Sequence, residues 1–311
     1  MVSRRSVRVK VMQLLYAKNR DKALSDKKVL NAYDDSIENS FELYLLTLFI
    51  FLQTTRIAVI DKKKRDSKHL PSDEDKVFSD KLYSNDLIQS IIKNQKLEAK
   101  FNKLRFPALI DEDLFKRLYR EFVKTDAYKE YVISNSSESA HREILLELFR
   151  SMRKDEYFTE VLDDHYPNWS DDKSLAIGAI KKTIKQTPNI HDDFYEAYTP
   201  DAETAEEFGR QLLKETLGNE ETLLKYIEPI LNNWDLDRLA IIDMILIQMA
   251  LTEFIYFPTI PTKVTLNEYV EISKQYSTAK SKDFVNGILD KLMKSLDEEG
   301  MIKKEGRGLV N

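Results

Sequence analysis

The sequence contains no cysteine, which excludes a disulfide framework, thiolate metal sites and a cysteine nucleophile, and suits a reducing compartment. Glycine is nearly as scarce, with seven in 311 residues and the first at Gly178. Glycine-rich phosphate loops, primed hairpin turns and nucleophile elbows are therefore absent from the first half of the chain. No long apolar segment follows the charged opening MVSRRSVRVK, so no secretory signal is expected. The stretch FELYLLTLFIFLQTTRIAV, residues 41–59, is rich in large apolar side chains but carries Glu42, Gln53 and Arg56. Its uninterrupted core is shorter than the roughly 20 residues that span a bilayer, so a buried helix is expected there and no membrane partner.

What is present is material for helices. The chain is 42% hydrophobic and 32% charged, enough for one large or two small cores and too apolar for a disordered chain. An all-α fold is expected. The first helix starts at Ser3, a good N-cap, and runs to Arg20 with Val7, Val11, Leu14 and Leu15 on its apolar side. Helical spacing continues over about 29–60, 77–102, 111–132, 140–152, 155–164 and 171–186, with a charged loop at 61–76 and the most linker-like stretch at 134–139. A helix opened by Asp201 or Thr204 and closed by Gly218 follows, then one to Asn233. Residues 236–254, capped by Asp235, are apolar enough to be the central helix of a bundle. Helices at about 262–276 and over KDFVNGILDKL come last, and the basic tail KKEGRGLVN is expected to fray.

Charge is unevenly placed. Residues 1–20 hold Arg4, Arg5, Arg8, Lys10, Lys18 and Arg20 and no acid, a local +6 on a chain of net charge −5. A basic element on an acidic body suits a polyanion, because neutralised phosphates release counterions; a solvated helix face is the plainer alternative. The helix over residues 282–292 poses a separate question. Its apolar stripe runs through Phe284, Val285, Ile288, Leu289 and Leu292, yet Gly287 sits inside it at a cost of about 1 kcal/mol relative to alanine. Two explanations fit: another helix packs close, or a ligand approaches the backbone.

Catalytic motifs are not found. The four histidines lie far apart, with no HExxH, no GxSxG serine, no P-loop and no dinucleotide fingerprint. His165 beside Asp163 and Asp164, and His191 beside Asp192 and Asp193, make a metal-dependent hydrolase conceivable, but loop solvation explains them more simply. No metal, no cofactor and no enzymatic activity are expected. A weak echo links YPNWSDDKSLAI, from Tyr166, with NNWDLDRLAI, from Asn232, as chance similarity or a duplicated helix start.

In order along the chain stand RRSVRVKVMQLLYA, NWDLDRLAIIDMILIQMALTEF, IPTKVTLNEYVEISKQYS and KSKDFVNGILDKL. Together these strings resemble the NusB family of transcription antitermination factors, continuously over 203–294 and briefly at the N-terminus. The resemblance implies an all-helical, non-enzymatic, cytoplasmic protein that binds boxA-type RNA of ribosomal RNA operons. It further implies partnership with NusE, a small-subunit ribosomal protein, within the transcription elongation complex. Carried over by position, Arg4, Arg5, Arg8 and Lys10 would contact RNA, joined by Lys280, Lys282, Phe284 and Asn286. Tyr16 and Asp237 would meet NusE. The family is about half this length, so the expected organisation is a basic first helix (1–24), a helical insertion (25–199) and a NusB-like C-terminal bundle (200–311). The alternative is a helical protein–protein adaptor of the same fold that does not bind RNA.

Overall fold

Local capping starts the first helix. Ser3 Oγ accepts from the Ser6 amide at 3.1 Å and the Ser6 hydroxyl takes the Ser3 amide at 2.9 Å, a capping box that opens α1 (Arg4–Arg20) as expected. The computed structural model describes residues 2–231 and 240–309, and every regular element among them is helical. The chain divides into two compact units: Glu38–Thr199, and Val2–Ile37 with Pro200–Asn311.

The unit of residues 38–199 holds most of α2 (Asp26–Asp66), followed by α3 (Asp73–Val77), α4 (Lys81–Ser84), α5 (Asp86–Ile92) and α6 (Gln95–Lys103). Beyond these come α7 (Phe106–Leu109), α8 (Glu112–Phe122), α9 (Asp126–Ile133), α10 (Glu138–Met152), α11 (Glu156–His165) and α12 (Trp169–Gln186). The single helix expected over 77–102 is instead a series of short ones. Asn85 and Asn94 each accept the amide three residues on, at 3.1 and 3.0 Å, and so start new helices where the sequence pattern ran through. Thr125 does the same for α9, splitting the helix expected over 111–132. The charged loop at 61–76 is also shorter than expected, since α2 runs on to Asp66 and α3 begins at Asp73. α2 is long and apolar enough to cross a membrane, but 72% of its apolar window is buried inside the protein. There Tyr44, Leu45, Leu46 and Phe51 pack in one core with Phe149 and Phe158. Each such side chain contributes on the order of 2 kcal/mol by leaving water. Trp169, the first residue of α12, is buried in the same core, while its echo at 233–234 lies outside the described residues.

The other unit adds to α1 a π-helical turn (Glu203–Arg210), α13 (Gln211–Gly218), α14 (Glu220–Leu231), α15 (Ile241–Tyr256), α16 (Thr262–Tyr276) and α17 (Ser281–Glu298). α15 is buried continuously from Ile245 to Phe254 and packs against α1, α13, α14, α16 and α17, the central position its composition indicates. The cap expected at Asp235 lies outside the described residues. The Tyr33 hydroxyl donates to the Ala205 carbonyl at 2.6 Å, meeting one carbonyl of the π-helical turn. Gly209 belongs there because a Cβ would collide with that hydroxyl and with Val7. The tail expected to fray folds back instead. Lys304 Nζ donates to the carbonyls of Glu253 (3.1 Å) and Phe257 (2.9 Å) at the C-terminal end of α15, and the Glu305 amide donates to the Pro258 carbonyl at 3.0 Å.

Candidate nucleic-acid interface

α1 lies on α15 by its valine face, with Val7 and Val11 fully buried. The arginines of its first two turns then reach different depths. Arg4 Nη2 donates to Glu203 Oε1 at 2.8 Å and its guanidinium lies 5.5 Å from the Phe208 ring centroid. Arg5 holds Glu268 of α16 bidentately, at 2.8 and 2.7 Å, with its side chain still 55% exposed. The hydrogen bond to Glu268 raises the Arg5 pKa, and the same bond holds the Glu268 carboxyl below its ordinary value.

Arg8 corrects the sequence reading. Its side chain is 3% exposed, bidentate to Glu253 of α15 at 2.6 and 2.8 Å, with its guanidinium 4.8 Å from the Phe208 ring centroid. Burial alone would lower its pKa, but the charge and hydrogen bonds of Glu253 outweigh that and hold it above the ordinary value. Glu253 also accepts from the Tyr269 hydroxyl at 2.6 Å and from Thr265 at 3.1 Å, so every group of this buried cluster is met. Burial, followed by the charge of Glu253, pushes the Tyr269 phenol well above its usual pKa. Arg8 therefore ties α1 to the core and offers no surface to a polyanion. Lys10 is buried too and leaves the accessible set for the same reason.

On the surface, Arg5 and Val9 line a cavity of about 250 Å³ with Glu271, Ile272, Lys274 and Gln275 of α16. Lys274 pairs with Glu271 and is the main cause of that carboxyl's lowered pKa, to which Arg5 and Lys282 add. Arg5 of α1 and Lys282 of α17 thus both act electrostatically on one acid of α16. Lys280, Lys282 and Asn286 are exposed, while Phe284 is half-buried against the core. Gly287 is exposed as well, and a Cβ there would meet nothing within 4 Å among the described residues. Among the described residues no other helix packs close to this glycine, so that explanation finds no support there. Tyr16 is 38% exposed, and Asp237 lies outside the described residues.

The +6 of residues 1–20 is consequently only in part free charge. Glu203, Glu253 and Glu268, remote in sequence, neutralise Arg4, Arg8 and Arg5. Lys274 and Gln275 were missed as members of this surface. Their signal was the spacing of acids and lysine in VTLNEYVEISK, but only packing brings that helix to Arg5. No group of metal-ligating side chains forms among the described residues. His141 binds the Tyr131 hydroxyl at 2.7 Å.

Comparison with known proteins adds the family. The NusB family model matches residues 170–294, starting inside α12, upstream of where the sequence strings become continuous. "Transcription antitermination protein NusB" of Salinibacter ruber is 41% identical over 104 residues, 33% of this chain and 65% of that protein. The proteins of the same name from Chloroherpeton thalassium and Natranaerobius thermophilus are 40% and 37% identical, over 34% and 28% of this chain and 51% and 63% of theirs. The chain thus spans between half and just under two thirds of the length of these curated relatives. No solved structure matches the chain. With a buried central helix flanked by α16 and α17, and with that match across all three, residues 170–294 resemble the NusB family.

Proposed function

We propose that the protein is a transcription antitermination factor that binds boxA-type RNA of ribosomal RNA operons together with NusE, in the cytoplasm and without catalysing a reaction. The observation that carries this reading is the 41% identity to a NusB antitermination protein over a third of the chain. The groups that suit the role are the half-exposed Arg4 and the exposed Arg5 on α1, Lys274 and Gln275 on α16, and Lys280, Lys282 and Asn286 on α17. Their arrangement fits backbone recognition, in which incoming phosphates replace the partly exposed carboxylates Glu203 and Glu268 as partners of Arg4 and Arg5. Asn286 supplies an amide for a base edge, and the open backbone beside Gly287 admits close approach. Tyr16 and Asp237 are assigned to the NusE surface.

The second reading, an adaptor that does not bind RNA, draws on one observation: Arg4, Arg5 and Arg8 all have carboxylate partners within the chain. A salt titration of boxA-type RNA binding, with and without NusE, separates the two. Under the RNA reading, affinity falls as salt rises, and Arg4→Gln with Arg5→Gln flattens the slope by about 1.4, or 0.7 per phosphate contact. Affinity independent of salt would favour the adaptor.

A further inference from the structure

Two lysine rows in the unit of residues 38–199 have no role in the surface just described. On α6, Lys96, Lys100 and Lys103 stand at i, i+4 and i+7, one stripe beside the buried Leu97 and Phe101. On α12, Lys181, Lys182 and Lys185 form an exposed arc beside the buried Ile180, Thr183 and Ile184. Between Lys173 and Ile190 there is no acid at all, and Glu98 is the only one on α6.

Packing brings the rows to the two ends of one aromatic cluster. Lys100 lies 5.7 Å from the Phe41 ring centroid, Phe41 is 6.3 Å from Tyr44, Tyr44 is 4.6 Å from Tyr198, and Lys182 lies 6.0 Å from Tyr198. The Asn94 amide that precedes α6 also donates to the Asp192 carbonyl, at 2.8 Å, in the segment that follows α12. That segment carries Asp192, Asp193 and Glu196, yet none of the six lysines forms an ion pair among the described residues. On neighbouring elements the pattern is different: Lys62, Lys68, Lys76, Lys116, Arg117 and Lys124 are each held by a carboxylate.

We infer that the α6 and α12 lysine rows form a second, sequence-independent contact surface for the phosphate backbone of RNA. Unpaired lysines in helical rows suit a chain of phosphates, where each contact releases a counterion and no shape complementarity is needed. A membrane surface would require apolar side chains exposed beside the cations, and here Leu97 and Phe101 are buried in the core. A protein partner is the poorer fit because lysine is depleted from protein interfaces. The inference rests on the RNA reading of the chain and extends it, giving α6, ahead of the family match, and α12, at its start, a share in holding the transcript.

The test uses the full chain, a short boxA-type RNA and the same RNA extended severalfold, each titrated against salt. The longer RNA should bind with the steeper salt dependence. Replacing Lys96, Lys100 and Lys103 by Gln, or Lys181, Lys182 and Lys185 by Gln, should each flatten the slope for the long RNA by about 2, leaving the short one unchanged. Arginine at the same positions should restore it. Equal slopes for the two RNAs, or Gln variants that bind the long RNA like the parent, overturn the inference while leaving the boxA reading intact. Loss of binding to both RNAs on changing Arg4 and Arg5 supports the boxA reading separately. Absence of salt-dependent binding to either RNA overturns both, and lysine-dependent binding to phosphatidylserine vesicles in place of RNA overturns this surface.

Discussion

Arg5 and Arg8, one helical turn apart, show how differently the same residue type can act. Arg8 and Glu253 are both buried, so Arg8→Met leaves a carboxylate unpaired in the core and is expected to cost about 3–5 kcal/mol in urea unfolding. Arg5→Gln breaks a half-exposed pair and should cost less than about 1 kcal/mol. If the two variants unfold alike, the assignment of Arg8 to the core fails. Lys304 allows a pH test. Its amine is half-buried at the end of α15, and that burial pushes its pKa down to about 8 from 10.5. The folded protein therefore sheds this proton before the unfolded chain does, and stability gains from this residue as pH rises from about 8 towards 10.5. Relative to Lys304→Met, the parent should gain in thermal midpoint between pH 7 and 9.5; a constant difference would mean the amine is solvated.

At the scale of the element, α17 carries the question raised by its glycine. With no described residue within 4 Å of a Cβ at Gly287, Gly287→Ala should stabilise the helix by up to about 1 kcal/mol by denaturant unfolding. The same variant should weaken boxA-type RNA binding, because the added methyl stands where the backbone is open to a ligand. Unchanged RNA affinity would leave the glycine without a binding role. Gly209 is the contrasting case: alanine collides with Tyr33 and Val7 and is expected to destabilise by roughly 1–3 kcal/mol. Nothing in the local sequence distinguishes the two glycines. Both lie in strongly amphipathic helical stretches, and only the neighbours supplied by the fold separate a required glycine from a tolerated one.

At the scale of the molecule, the two units have separate cores with no residue in common, although α2 runs through both. Phe149→Ala in the core of residues 38–199 should cost that unit about 3–5 kcal/mol. Amides of α10 should then exchange faster while those of α15 keep their protection; equal loss in both would mean that the units unfold together. Much of this organisation was legible in the sequence. Scarce glycine and the 3.6-residue spacing gave the all-helical class, and the apolar content of residues 236–254 marked the central helix, observed as α15. The splitting of 77–102 was harder to read. Asn85 and Asn94 end and restart helices through side-chain hydrogen bonds that compete locally with a continuous pattern.

By itself the sequence determined the helices, the apolar faces that drive them together and the strings that mark the NusB family, because these depend on residues near one another in the chain. Tertiary structure decided which charges are free. Glu253 and Glu268 stand more than 240 residues from Arg8 and Arg5, and only the docking of α1 against α15 and α16 turns a run of arginines into one buried tie and one exposed contact. The lysines of α6 and α12 are the reverse case. They are unremarked as charges in sequence, and folding leaves them unpaired around a shared aromatic cluster.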